Sequence, residues 1–245
     1  MYLDAIAALL MVVFAFVADQ GSRSFRKLKD SSPHRRVKIY RVWLATSILC
    51  FGVLGILIIY FMGLTHDRNF HGGIYSIYHP YDVAFAILKQ NVSIDQAQLL
   101  PLGFGFCMGL AILLFVSRTR KGKKFYTTEA VSTLRPRDGT ESVYVIALII
   151  NAAISEEIMF RGAFPSLLFN ITHNAMFAII ASAIVFGCMH WYQGARGVLS
   201  TFCLAVIFSL ILGAGFGLYL VIALHFVLNM MALFVLPKRS LAEPG

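Results

Sequence analysis

Six polar side chains sit where an apolar chain rarely tolerates them. Glu156, Glu157 and Arg161 fall in "SEEIMFRG" (155–162), between "VYVIALIINAAI" and "AFPSLLFNI". His190 closes "FGCMH" (186–190), one turn after Phe186, and His225 and Asn229 bracket "HFVLN" (225–229). An ionised side chain at the centre of a bilayer costs at least ~2.5–3.5 kcal/mol, so such groups face a bundle interior, pair with one another and mark function. Of the 12 acidic residues, only Glu156 and Glu157 lie deep within an apolar run.

Helical spacing divides the labour among them. Glu157 and Arg161, at i and i+4, share a face with the acid on the N-terminal side, which favours an ion pair. Glu156 points about 100° away around a helix of ~3.6 residues per turn. The pair is therefore expected to brace the helix, leaving Glu156 as the working carboxylate. In a poorly solvated cavity it is basic enough to take a proton from water near neutral pH. His225 and Asn229, also i and i+4, share a face. A carboxylate, two imidazoles and an amide in one cavity suit amide hydrolysis. Glu156 with His190 activates a water, and His225 and Asn229 donate to the developing oxyanion. No serine or cysteine stands beside an obvious base, and Ser155 points elsewhere on its helix, so no covalent nucleophile is expected. Counting a ~1.5 Å rise per residue puts Glu156 and His225 about 10 and 12 Å below the outer face of a ~30 Å core, but His190 about 22 Å below it. A tilt, a re-entrant start to the fourth span or a shifted boundary would close that gap.

The elements that must position these groups follow from composition. The chain has 245 residues, 58% hydrophobic and 13% charged; soluble domains carry roughly 25% charged residues. This predicts an all-α, polytopic membrane helical bundle with no room for a sizeable soluble domain. Apolar runs predict about seven transmembrane helices, with eight the alternative count, near 2–18, 42–64, 99–117, 143–169, 175–193, 197–214 and 217–236. Each must be a helix, because backbone in lipid has to satisfy its own hydrogen bonds. The net charge of +9 is concentrated at 23–41 and in "RTRKGKK" (118–124), both abutting apolar runs. These clusters read as topology signals and contacts to anionic lipid, not as a nucleic-acid surface. "MYLD" carries no basic residue, so the first run reads as a retained span and not a signal peptide.

The Lys and Arg distribution places the loops 19–41 and 118–142 and the tail "PKRS" (237–240) in the cytoplasm, and the N-terminus and the loop 65–98 outside. "GAGFG" (213–217) reads either as a tight outside turn or as a hinge in one broken span. The sequons "NVS" (91–93) and "NIT" (170–172) fall on the predicted outside. Cys50, Cys107, Cys188 and Cys203 lack CxxC spacing and read as buried free thiols. Three units are expected: 1–142, an N-terminal three-span part with basic cytoplasmic loops; 143–236, a four-span catalytic core; and 237–245, a cytoplasmic tail.

In order along the chain, "EEIMFR" (156–161) fits EExxxR, "FGCMH" (186–190) fits FxxxH, and "HFVLN" (225–229) fits HxxxN. Over about 143–236 the sequence resembles the CAAX prenyl endopeptidase and bacteriocin-processing family of intramembrane proteases. The resemblance implies a glutamate-dependent endopeptidase that cleaves a membrane-anchored or lipidated polypeptide within the bilayer. It implies Glu156 as the water-activating carboxylate, His190 as its partner, His225 and Asn229 as oxyanion stabilisers, and Glu157, Arg161 and Phe186 in support. The well-studied members have eight spans, against the seven counted here. Members are often described as metalloproteases, and Glu156, His190 and His225 offer a Glu/His/His set for zinc. HExxH, with two ligands one turn apart, is missing, and a water activated by Glu and His needs no metal, so no cofactor is expected. The competing readings are a non-catalytic immunity or scaffold protein on the same fold and a small proton-coupled transporter. A proton relay needs titratable groups spread across the membrane, whereas these converge on one layer, and no inverted repeat is visible.

Overall fold

Among the described residues every element is helical, as lipid demands of a backbone with no other partner. The structure is a computed structural model and describes residues 2–66, 74–91 and 129–235. Helix α1 is Tyr2–Lys29. After a short turn α2 (Pro33–Ser47) runs through a π-helical segment, Ile48–Val53, into α3 (Leu54–His66). Helix α4 is Ile74–Asn91, and α5 is the short Glu129–Leu134. Helix α6 (Gly139–Glu157) passes through a second π-helical segment, Ile158–Ala163, into α7 (Phe164–Thr172). Then follow α8 (Ala175–Met189), a 3-10 turn Trp191–Gln193, α9 (Gly194–Gly213), α10 (Leu218–Met230) and a last π-helical stretch, Met231–Val235.

Five of these helices are long and apolar enough to cross a membrane: Leu3–Lys29, Pro33–Met62, Gly139–Thr172, Trp191–Gly213 and Leu218–Val235. The outside of the bundle is apolar. Val12 and Phe16 of α1 are 66% and 62% exposed, the disposition of side chains that meet lipid.

Several expectations change at this level. The first span does not stop near 18; α1 continues through the basic cluster to Lys29, and α2 resumes at Pro33, so the basic "loop" is a helical hairpin. The segment 65–98, read as an outer loop, contains α4. Its inward positions Ile77, Tyr81 and Ala84 follow helical spacing and are buried, but Pro80 and its polar neighbours kept its apolar signal weak. The fifth predicted span is shorter than expected: α8 has 15 residues, about 22 Å, against a core of ~30 Å. "GAGFG" is a turn between two helices, with Gly215 at φ +90, a conformation that suits glycine. The α4 residue Tyr78 accepts the Leu218 N–H at 3.0 Å beyond it. Cys188 and Cys203 are exposed and not buried as expected, while Cys50 is half-buried against the core. The Asn170 amide donates to the Ser166 carbonyl at 2.9 Å. The predicted span 99–117, Cys107, the cluster 118–124, most of "NVS" and the tail 237–245 lie outside the described residues.

Helices α2–α3 and α6 run side by side in the same direction. Arg36 meets Glu141, the Arg41 Nε–H donates to the Tyr144 hydroxyl, and Ser47 and Ser155 share a hydrogen bond of 3.1 Å. Gly55 lets the backbones close: a Cβ there would stand 3.0 Å from Ile158 Cγ2 and 3.5 Å from Met159 Cα. At the start of this seam Arg36 is wholly buried. Its Nε–H reaches both Glu141 oxygens at 2.9 and 3.0 Å, and its remaining donors serve the Tyr40 hydroxyl and the carbonyls of Leu28, Thr133 and Arg135. Arg137 holds the Ser31 and Lys29 carbonyls, and Arg135 the Ala232 carbonyl. The α1–α2 turn, the entry to α6 and the π-helical stretch after α10 are thus tied together at one end of the bundle. Part of the basic clustering is a buried staple, a role that charge counting does not reveal.

Candidate active site

Asp138 caps α6, accepting the Glu141 N–H at 2.8 Å, and the helix then delivers two consecutive glutamates to the bundle centre. Immediately after them it loosens into the π-helical segment Ile158–Ala163, a rare winding that recurs at functional sites. The two carboxylates part company there. Glu157 is fully buried, whereas the Glu156 side chain keeps 17% exposure and faces a cavity.

Glu157 holds two partners. Its Oε2 lies 3.0 Å from Arg161 Nε, the i, i+4 ion pair expected from spacing. The contact is off the hydrogen-bonding direction, so it acts as a charge pair, and Nη1 and Nη2 find no acceptor among the described residues. The guanidinium lies instead against aromatic faces, its Cζ 4.3 Å from the Phe186 ring centroid and 5.5 Å from that of Phe208, a cation–π arrangement. The other oxygen, Oε1, accepts the His225 Nδ1–H at 2.7 Å, the length of a charge-assisted bond. This contact, across 68 residues of sequence, has no signature in spacing. It aims His225 Nε2 at the cavity, 3.9 Å from Glu156 Oε2.

His190 caps the end of α8. Its Nδ1–H donates to the Phe186 carbonyl at 2.9 Å, which leaves Nε2 as the free lone pair. Phe186 is the common spacer, with ring centroids 4.8 Å from His190 and 6.4 Å from His225. Asn229 follows His225 by one turn. A cavity of about 330 Å³ is lined by Glu156, His190, His225 and Asn229. Glu157 and Arg161 stand behind its wall. The depth mismatch reckoned for His190 does not keep it from the others, because all four groups reach the same cavity. Ser155 is buried and hydrogen-bonded to Ser47, and it is not among the residues that line the cavity.

Among the described residues no group of three His, Cys, Asp or Glu side chains is close enough together to hold a metal ion.

Residues 139–231 match the family model described as type II CAAX prenyl endopeptidase Rce1-like. This segment is an Rce1-like domain. Comparison with curated proteins and with solved structures returns no match. The Rce1-like domain runs from the first residue of α6 into the last π-helical stretch and carries all the motif residues named above. It is a protease-type domain within an integral membrane bundle. Helices α1 and α2 lie outside the matched segment, yet Val17 and Trp43 complete the cavity wall of the Rce1-like domain.

Proposed function

We propose that the chain is an intramembrane endopeptidase that hydrolyses a peptide bond of a membrane-anchored or lipidated polypeptide, using a water activated by Glu156 and His190. The observation that carries this reading is the convergence of Glu156, His190 and the His225–Asn229 pair, from three separate helical elements, on one cavity inside an apolar bundle. Glu156 takes a proton from the water as it attacks the scissile carbonyl, and His190 Nε2 holds that water by accepting its second hydrogen. The carbonyl oxygen becomes an oxyanion facing His225 and Asn229. With Nδ1–H on Glu157, His225 donates from Nε2 as the imidazolium, and Glu156 and Glu157 together balance its charge and that of Arg161. Asn229 donates from its amide. Glu156 then returns the proton to the leaving amine as the C–N bond breaks. No metal takes part. The basic residues gathered at the Arg36 end of the bundle favour a cytoplasmic setting for that end, with the N-terminus outside and the C-terminus in the cytoplasm.

The test is direct. The purified chain is reconstituted with membrane-anchored peptides, and new termini are sought by mass spectrometry. Glu156→Gln and His190→Ala should each abolish cleavage and leave the thermal transition in place. Cleavage that survives both substitutions refutes the assignment. A biological activity that persists in both without any cleavage favours the scaffold reading.

A further inference from the structure

The cavity extends beyond the hydrolytic groups, along the seam between α2 and α6, where Trp43 and Asn151 line it. Trp43 Nε1 and Asn151 Nδ2 are both shielded from solvent, and neither finds an acceptor among the described residues. A buried donor left without a partner costs about 1–3 kcal/mol, and two on one wall call for an explanation. Register puts them at the same level. Ser47 and Ser155 are hydrogen-bonded across the seam, Trp43 is one turn before Ser47, Asn151 is one turn before Ser155, and the two helices run in the same direction. Nothing in the composition of "RVWLATS" or "LIINAAI" marks these residues as functional, since one indole and one amide in apolar runs read as ordinary packing.

We infer that Trp43 and Asn151 form a docking subsite for a backbone carbonyl of the bound polypeptide, both side chains turning on binding so that the indole and amide N–H groups, occluded here, converge on one neutral oxygen. This rests on the endopeptidase reading for its substrate class. A neutral acceptor is required because no cation lines this part of the cavity, and an ionised carboxylate cannot be buried without one. Asn151 precedes Glu156 by five residues, about 7.5 Å along the helix at ~1.5 Å per residue. An extended chain advances roughly 3.3 Å per residue. The carbonyl held here therefore lies about two residues from the scissile bond, and the subsite fixes the register in which the chain lies across Glu156.

The chain's two tryptophans, Trp43 and Trp191, make the test spectroscopic. In the Glu156→Gln/Trp191→Phe protein, reconstituted in phosphatidylcholine vesicles, Trp43 is the sole indole and no turnover intervenes. Titration with hexadecanoyl-Ala-Ala-Ala-amide should move its emission saturably to longer wavelength as the N–H gains an acceptor. Octadecane, which has no carbonyl, should leave the emission where it is. Adding Asn151→Leu should weaken the peptide's Kd about tenfold, the worth of one such hydrogen bond, without lowering the thermal transition, because it removes a donor that has no partner in the fold. An unresponsive Trp43, an equal shift with octadecane, an unchanged Kd, or a thermal transition that falls with the affinity each overturns the subsite. Glu156-dependent cleavage with a Kd indifferent to Asn151 would sink this inference alone. The full binding pattern in a chain that cleaves nothing would sink the endopeptidase reading alone.

Discussion

Replacing Arg161 with methionine isolates what the buried pair does. The guanidinium is 2% exposed, sits 3.0 Å from Glu157 and rests on Phe186 and Phe208. Methionine keeps most of the volume against those rings but leaves Glu156 and Glu157 to share His225 as counter-charge, one buried negative charge in excess. Breaking a buried pair from one side costs about 3–5 kcal/mol. For a chain of this size each kcal/mol moves the transition by roughly 2–4 °C, so Arg161→Met should melt about 6–20 °C below the parent. The double variant Glu157→Gln/Arg161→Met leaves no stranded charge and should recover at least half of that loss, since a buried pair replaced on both sides is often neutral. It should stay impaired in cleavage, because His225 still lacks a charged acceptor. Thermal unfolding of the purified chain in vesicles, followed by circular dichroism, reads all three proteins. An Arg161→Met transition within about 1 °C of the parent would refute the account of Arg161 as a structural counter-charge.

Glu157→Gln alone leaves the Arg161 guanidinium unpaired and should destabilise the fold by about 3–5 kcal/mol, lowering the thermal transition. The folded fraction should cleave roughly 10–100-fold more slowly, the worth of a hydrogen bond to a charged group, measured as kcat on any peptide the parent cleaves. Arg36→Met breaks the staple at the far end of the seam and should cost about 3–5 kcal/mol, seen as a lower thermal transition and faster proteolysis near the α1–α2 turn. Gly187→Leu should cost about 1–3 kcal/mol through overpacking and reduce cleavage by displacing His190, since a Cβ there would already stand 3.0 Å from the Val198 carbonyl oxygen and 3.1 Å from Phe202 Cβ. Incubation with a strong zinc chelator should leave cleavage intact; loss that added zinc restores would overturn the metal-free mechanism.

The chemistry-bearing residues were conspicuous in the sequence because a charge in an apolar run has so few reasons to be there. Glu157 and Arg161 could be paired from spacing alone, since both partners lie on one helix. The contact from Glu157 to His225 could not, because it depends on how α6 and α10 rotate against each other, and no local rule sets that. The Arg36–Glu141 staple was hidden for a related reason. Each residue sits at the edge of an apolar run, where charges are ordinary, and only the parallel packing of α2 on α6 brings them together. Helix α4 escaped notice because its buried positions are few and spaced among polar ones, so summed hydropathy diluted a pattern that periodicity keeps. The length of α8 was overestimated because apolarity continues past Met189 while the helix does not.

The looser winding at Ile158–Ala163 acts as a phase shifter. Upstream of it, α6 is keyed to the cavity by Glu156; downstream, Phe164 and Leu167 are keyed to the packed interior, 2% and 0% exposed, with Phe164 edge-on to Phe14 of α1. Winding Ile158–Ala163 as α-helix with every residue kept would swing everything beyond it by about 100°. Phe164 and Leu167 would turn away from the packed interior while the glutamates stayed put, and only the deletion of one residue, such as Ala163, would bring them back. One surplus residue is what lets a single rod face two directions at once.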